Sequence, residues 1–303
     1  MGTFVGHLIP GSIFLILSVW WTYSAWLRYF ICQQRQRSYY VSLSFPLHCC
    51  GSRIAKLPIE AIFIIISTSV GIITEISAGV YHVYDTNGRH IALHMGANSL
   101  QHVATYMVFF LVGIIDFLIH QRFPIPKHMD IVAVNLAFSA EAVSFYFHGH
   151  ARSPVEIQLH VLLALAICGT VIGGIFEIIQ HNNQIYATLM RAYFAFVQGS
   201  WFYTVGFFLY SPFHAEYSQN RDPDEHRTLM LITFYFVIHM VIGLSILVLL
   251  ALPAYYVSKR KNQATGYDYV AVATDDDNDK EQMKKIYDLN GKAVIHSDTY
   301  LLE

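Results

Sequence analysis

The sequence is poor in charge: only 13% of its 303 residues are Asp, Glu, Lys or Arg, against about a quarter in soluble domains. The formal net charge of −2 provides no basic field for nucleic acid. Cysteine is scarce too. Cys32, Cys49 and Cys50 fall in one basic loop and Cys168 in an apolar run, which excludes a disulfide-stapled secreted scaffold. No Asn-x-Ser/Thr sequon, no His-Glu-x-x-His zinc motif and no internal repeat occurs. The first apolar stretch, from Leu8 to Trp26, is too long for the core of a cleavable leader and reads as a span.

What is abundant is hydrocarbon. The chain is 54% hydrophobic and 15% aromatic, with 20 Tyr and 21 Phe. These residues gather into seven runs long enough to cross a bilayer: 8–27, 58–80, 99–119, 129–147, 155–179, 186–209 and 230–256. Each must be helical, because hydrocarbon cannot hydrogen-bond a bare backbone. No strand alternation is evident. The expected fold is therefore all-α, a polytopic membrane protein with seven transmembrane helices at 1–257. A polar, acidic and disordered cytosolic tail is expected at 258–303.

The basic residues set the expected orientation. Arg28, Arg35, Arg37, Arg53, Lys56, Arg122, Lys127 and Lys259-Arg260-Lys261 fall on one side, with only Arg89, Arg152, Arg221 and Arg227 opposite. The positive-inside rule then predicts an outside or luminal amino terminus and a cytosolic carboxyl terminus. Arg191, near the start of the sixth span, is expected to snorkel to the basic side. With that polarity, 11 of the 16 histidines fall in the outer half or at mid-membrane.

The ionisable residues concentrate where the fourth and fifth spans meet, in Glu141-AVSFYF-His148-Gly-His150 and again at His160. Ionisable groups at membrane depth are costly, hence buried, paired and commonly functional. Glu141 and His148 lie two helical turns apart on one face, and Glu156 and His160 have the i, i+4 spacing. A short connection makes these helices antiparallel neighbours. His102 enters the outer end of the third span and Glu75 the outer end of the second. Glu75, His102, Glu141, His148, His150 and His160 thus form one candidate outward cavity. Mixed imidazole and carboxylate ligands suit a transition-metal ion such as zinc, and the same groups suit protons.

Other polar groups carry structural expectations. Asp116 and Glu177 are expected to be solvated at the cytosolic interface, and His239 to be a satisfied core histidine. Gln198-Gly-Ser-Trp-Phe202 mixes small residues with an amide, which suits close packing and an interhelical hydrogen bond. In the tail, Tyr267-Asp-Tyr-Val270 and Asp298-Thr-Tyr-Leu301-Leu302 have the form of signals read by clathrin adaptors. They point to plasma-membrane, endosomal, lysosomal or Golgi routing.

Several spaced motifs together resemble the transmembrane protein 45 family. These are Gly6-His7-Leu-Ile-Pro10-Gly11 with Trp20-Trp21, then Gln101-His102, Asp116, Glu141, His148-Gly-His150, His160, Glu177 and Gln198-Gly-Ser-Trp-Phe-Tyr203. The resemblance covers about Gly6 to Tyr256 and implies a seven-span membrane fold, without implying a reaction. Where that family tends to show Asp-x-His-x-His, this chain has Glu156-Ile-Gln158-Leu-His160. Three functional classes stay open: metal-ion or proton transport or sensing through the His/Glu cavity, an intramembrane metal-dependent lipid hydrolase, and a non-catalytic adaptor or trafficking protein. The serine, aspartate and closely spaced histidines of ceramidase-like enzymes are not evident, so enzyme activity is the less favoured class.

Overall fold

A computed structural model describes residues 4–46, 57–84, 90–126, 128–148, 153–179, 185–210 and 225–264, with the backbone alone at 84, 90, 148 and 261–264. The chain divides into two units, Met1–Asn262 and Gln263–Glu303. Beyond Ala264 the second lies outside the described residues, as do the signals at Tyr267, Val270, Asp298, Leu301 and Leu302.

The first unit is a helical bundle. In chain order the described elements are α1 (Phe4–Gln34), α2 (Ile59–Gly79), β1 (Val80–Tyr84), β2 (His90–Met95), α3 (Ala97–His120), α4 (Met129–His148), α5 (Pro154–Ile179), α6 (Ile185–Tyr210), α7 (Glu225–Leu249) and α8 (Ala251–Ala264). Among the described residues six helical stretches are long and apolar enough to cross a membrane: α1 to α5, and α7 with α8 as Glu225–Arg260. That is the make-up of an integral membrane protein. Large apolar side chains such as Ile73, Leu136, Val241 and Leu249 are exposed on the outside of the bundle, where hydrocarbon rather than water would solvate them.

α6 differs from the other helices. It holds Arg191, Gln198 and Ser200, and it is not among the stretches apolar enough by themselves. Yet 15 of its 26 residues are buried, the signature of a helix that faces protein instead of lipid. α1 packs most extensively on it, with α5 on another side. Backbone contact allows this. A Cβ on Gly199 would lie 2.9 Å from the Leu15 nitrogen, and one on Gly173 of α5 would lie 2.7 Å from the Arg191 nitrogen. Small residues at both crossings let dispersion and polar contacts hold the helices where hydrophobic driving force is absent.

The expectation of no strands needs correction. The connection between α2 and α3 is an antiparallel hairpin pairing Val80 with Met95 and Tyr81 with His94, with a bulge at Val83/Tyr84. The runs Val80-Tyr-His-Val-Tyr84 and His90-Ile-Ala-Leu-His-Met95 carry the β-branched and aromatic residues strands favour, but their apolar residues blend into the neighbouring spans.

α1 and α3 end alike. Gln36 (φ 53°) and Arg122 (φ 61°) adopt the left-handed conformation, and the next amides reach back, Arg37 to the Cys32 carbonyl at 2.9 Å and Phe123 to the Leu118 carbonyl at 3.0 Å. This closes the last turn in Schellman fashion, at roughly 1 kcal/mol for placing a non-glycine there. After α1 the chain does not run out along the surface. It turns in as an extended strap in which Tyr39, Val41, Leu43 and Phe45 are buried at every second position. These four side chains join the core and close the end of the bundle where α1 stops.

Candidate functional site

The helices alternate in direction, so the ionisable residues sort into two layers. One lies at the end where α1 begins (the His7 end) and the other where the strap folds in.

Among the described residues, each buried carboxylate at the strap end has at least one donor, although Glu177 Oε1 has none. Glu60, at the start of α2, accepts from Trp20 Nε1 at 2.6 Å, Trp21 Nε1 at 3.0 Å and the Phe45 amide at 2.6 Å. Asp116 accepts from the Ser44 hydroxyl, and Asp130 from the Leu43 amide at 3.3 Å. Two expectations are corrected here. Glu177 is 0% exposed and Arg191 1%, so neither lies in interfacial water. Arg191 Nε donates to Glu177 Oε2 at 2.6 Å, and the guanidinium lies 4.4 Å over the Trp21 ring. Snorkelling fails because Gly173 lets α6 press its backbone against α5 at Arg191, leaving the side chain inside. Asp116 likewise meets the strap instead of solvent. Arg28 clamps the strap from outside, donating to the Tyr40 carbonyl and the Ser42 hydroxyl beneath the rings of Tyr40 and Phe45. The Tyr39 hydroxyl reaches Thr188, and burial pushes that phenol above its ordinary range.

The His7 end is built differently. Glu75 and His102 form a pair at 3.1 Å between α2 and α3. Glu141, 2% exposed on α4, accepts from Gln198 Nε2 of α6 at 2.9 Å. Among the described residues the ion pairs are Glu75–His102 and Glu177–Arg191, neither of which involves Glu141. His160 is buried, but its Nδ1 faces the Glu156 backbone carbonyl at 2.7 Å instead of that residue's carboxylate. That leaves Nε2 as the ring nitrogen of His160 that turns away from its own helix backbone. His160 stacks with Phe145 and meets the edge of His7 at 6.4 Å between ring centroids. The His148 side chain and all of His150 lie outside the described residues.

A cavity joins part of this layer. About 60 Å³ open to the centres of water-sized molecules runs beside α1 from Gly6 to Trp21. His7, His102, Tyr106 and Glu141 supply its polar groups, and Phe14, Phe109, Phe138, Phe145 and Phe202 much of its apolar wall. His102 and Glu141 thus share one cavity, with Glu75 behind His102. No group of three His, Cys, Asp or Glu side chains that could hold a metal ion occurs among the described residues. Six residues converging on a metal are not what the described part of the site shows.

Sequence reasoning passed over His7 as a site residue. It is buried, lines the cavity, and lies 5.0 Å from the Tyr210 ring. The Gly6-His7-x-x-Pro10-Gly11 motif was the signal available, since a histidine one turn inside an apolar helix is an ionisable group at membrane depth, as Glu141 is. Trp20-Trp21 was likewise a signal for an acceptor, which Glu60 supplies. His239 matches its expectation, with Thr204 at 3.0 Å and Ser200 at 2.9 Å, and Gln198 makes the interhelical bond expected of it.

A protein-family model described as "Family of unknown function (DUF716)" matches residues 127–252. That stretch runs from the start of α4 to α8, so it holds Glu141, His160, Glu177, Arg191 and Gln198 but not α1, the strap, Glu75 or His102. The similarity is to a family whose own description states no activity.

Proposed function

We propose that this chain is a seven-span membrane protein that exchanges protons through the cavity at its His7 end, with Glu141 as the group that takes up and releases them. α6 is the added span, sheltered from lipid by its neighbours. The amino terminus faces outside or the lumen, and the basic loops, strap and tail face the cytosol, as the charge distribution favours. In that orientation the tail signals would meet clathrin adaptors.

The observation that carries the reading is Glu141 itself. It is buried against a cavity with an amide as its described partner, whereas Glu60 has three donors and Glu177 an arginine. A carboxylate in apolar surroundings is costly, and either a proton or an arriving cation relieves the cost. His102 stands on the same cavity, held by Glu75, and an imidazole can pass protons near neutral pH. Proton exchange is the simplest reading because Glu141, His7 and His102, which line the cavity, each exchange protons by themselves.

The test is flux. Full-length protein in liposomes loaded with a pH-reporting dye should dissipate an imposed proton gradient, and Glu141→Gln should abolish this while preserving the Gln198 contact. Equal dissipation by Glu141→Gln would remove Glu141 from the proposal, and none by either protein would remove proton transport.

A further inference from the structure

Resting on the proton-exchange reading and adding a substrate class to it, we infer that the cavity beside α1 binds a single-chain alkylammonium ion, the ammonium group at Glu141 and the chain along the slot. Three features of the cavity converge on that chemistry.

The first is shape. From Gly6 to Trp21 the cavity follows α1 for ~22 Å. Only about 60 Å³ of it is open to the centres of water-sized molecules, so the space beside α1 is narrow. A narrow, apolar-lined space of that kind suits one slender chain. The slot lies in the seam between α1 and the α2–α3 pair, and α1 packs only lightly on α2, so an amphiphile can enter from the side.

The second is charge. Glu141 is the carboxylate among the residues that line the cavity, and Arg191 pairs with Glu177 at the other end of the bundle. The groups facing Glu141 are His7 from α1, His102 and Tyr106 from α3, His160 by way of His7 and Phe145 from α5, and Gln198 from α6. His102 already pairs with Glu75, and Gln198 donates a neutral amide. Among the described residues that line the cavity there is no Lys or Arg.

The third is the aromatic wall. Phe138 and Phe145 flank Glu141 one turn to each side on α4. Phe14 lies 5.7 Å from Phe138, Phe109 5.2 Å from Phe138, and Phe202 5.3 Å from Phe145. A carboxylate in a cavity lined largely by aromatic rings suits organic ammonium ions, which gain from ring quadrupoles and tolerate the loss of water. A small hydrated metal ion or an anion gains neither. Bound ammonium and bound proton compete for Glu141, so binding the one releases the other.

The experiment compares n-hexylammonium with n-hexanol, equal in length and differing in charge, by calorimetry on full-length protein in lipid nanodiscs, in two buffers of different ionisation enthalpy. The amine should bind at least tenfold more tightly than the alcohol, with release of up to one proton. Glu141→Gln should reduce it to the level of the alcohol. Phe109→Leu, which leaves every polar group in place, should weaken it roughly fivefold. Equal binding of amine and alcohol, amine binding unchanged in Glu141→Gln, or no amine binding would each overturn the inference. If Glu141-dependent proton flux persists without amine selectivity, this inference falls and the proton reading stands. Glu141-dependent amine binding without flux leaves the inference standing and removes transport.

Discussion

The two ends of the bundle treat a buried acid in opposite ways. At the strap end Glu60 receives two indole donors and a backbone amide, and Glu177 receives a guanidinium. At the His7 end Glu141 receives one side-chain amide and faces a cavity. Both ends place carboxylates in apolar surroundings, so burial alone does not distinguish a structural acid from a working one. The difference lies in what the partners are (several donors at Glu60, a cation at Glu177, a neutral amide at Glu141) and in the space beside the group. Where donors saturate the oxygens the acid ties elements together, here α1, α2 and the strap. Where they do not, it can meet something that arrives.

The sharpest way to break this contrast is Arg191→Met. It leaves Glu177 buried without its cation, and removing one partner of such a pair costs about 3–5 kcal/mol. Thermal unfolding in detergent should show a large loss, and the Arg191→Met, Glu177→Gln double variant should recover much of it. A single variant as stable as the parent would mean the pair closes nothing.

Glu60→Gln should follow, at roughly 2–3 kcal/mol, because charge-assisted acceptance from Trp20, Trp21 and Phe45 weakens together. Hydrogen exchange of the strap amides from 39 to 45 should rise more than that of α5. The same chemical change at Glu141 should cost ~1 kcal/mol or less, since Gln198 can donate to an amide oxygen as well. Its effect should appear in proton flux and leave the melting temperature nearly unchanged. If the two Glu→Gln variants instead lose similar stability, the ends are alike and the distinction fails.

The smallest effect concerns Tyr39. Its phenol is buried and held above the ordinary range, so its contribution is complete below about pH 10 and is lost as pH rises through the raised value. Tyr39→Phe should cost ~1 kcal/mol near neutral pH for the hydrogen bond to Thr188, and should remove that share of alkaline destabilisation. Unfolding curves from pH 8 to above pH 11 would read both.

Much of the fold was legible residue by residue. The runs at 8–27 and 58–80 announce helices because each side chain carries its own transfer free energy, and that sums locally. α6 was found as an apolar run too, but its role was not, since Arg191 and Gln198 in it read as polar decoration until the packing of α1 and α5 shows the helix to be interior. The strap lies in the basic stretch between the first two apolar runs. Its alternation over Tyr39, Val41, Leu43 and Phe45 is visible in the sequence, but four residues of period two look the same on a surface as in a core. The candidate site was half legible. Glu75 with His102 could be proposed from their depths in neighbouring spans, whereas the link of His160 to its own backbone carbonyl depends on a rotamer that spacing does not specify.

Sequence by itself thus determined the class of molecule, the number and place of the apolar runs, and which ionisable residues had to be explained. It did so because hydropathy, length and charge are properties of short stretches. Tertiary structure alone decided what each ionisable residue meets. Glu141 meets Gln198 and a cavity, Glu60 meets the tryptophans of α1, and Arg191 turns inward to Glu177. Those partners come from other helices, in the case of Glu141 and Gln198 across 57 positions, and only the crossing of helices at small residues such as Gly199 and Gly173 brings them into reach.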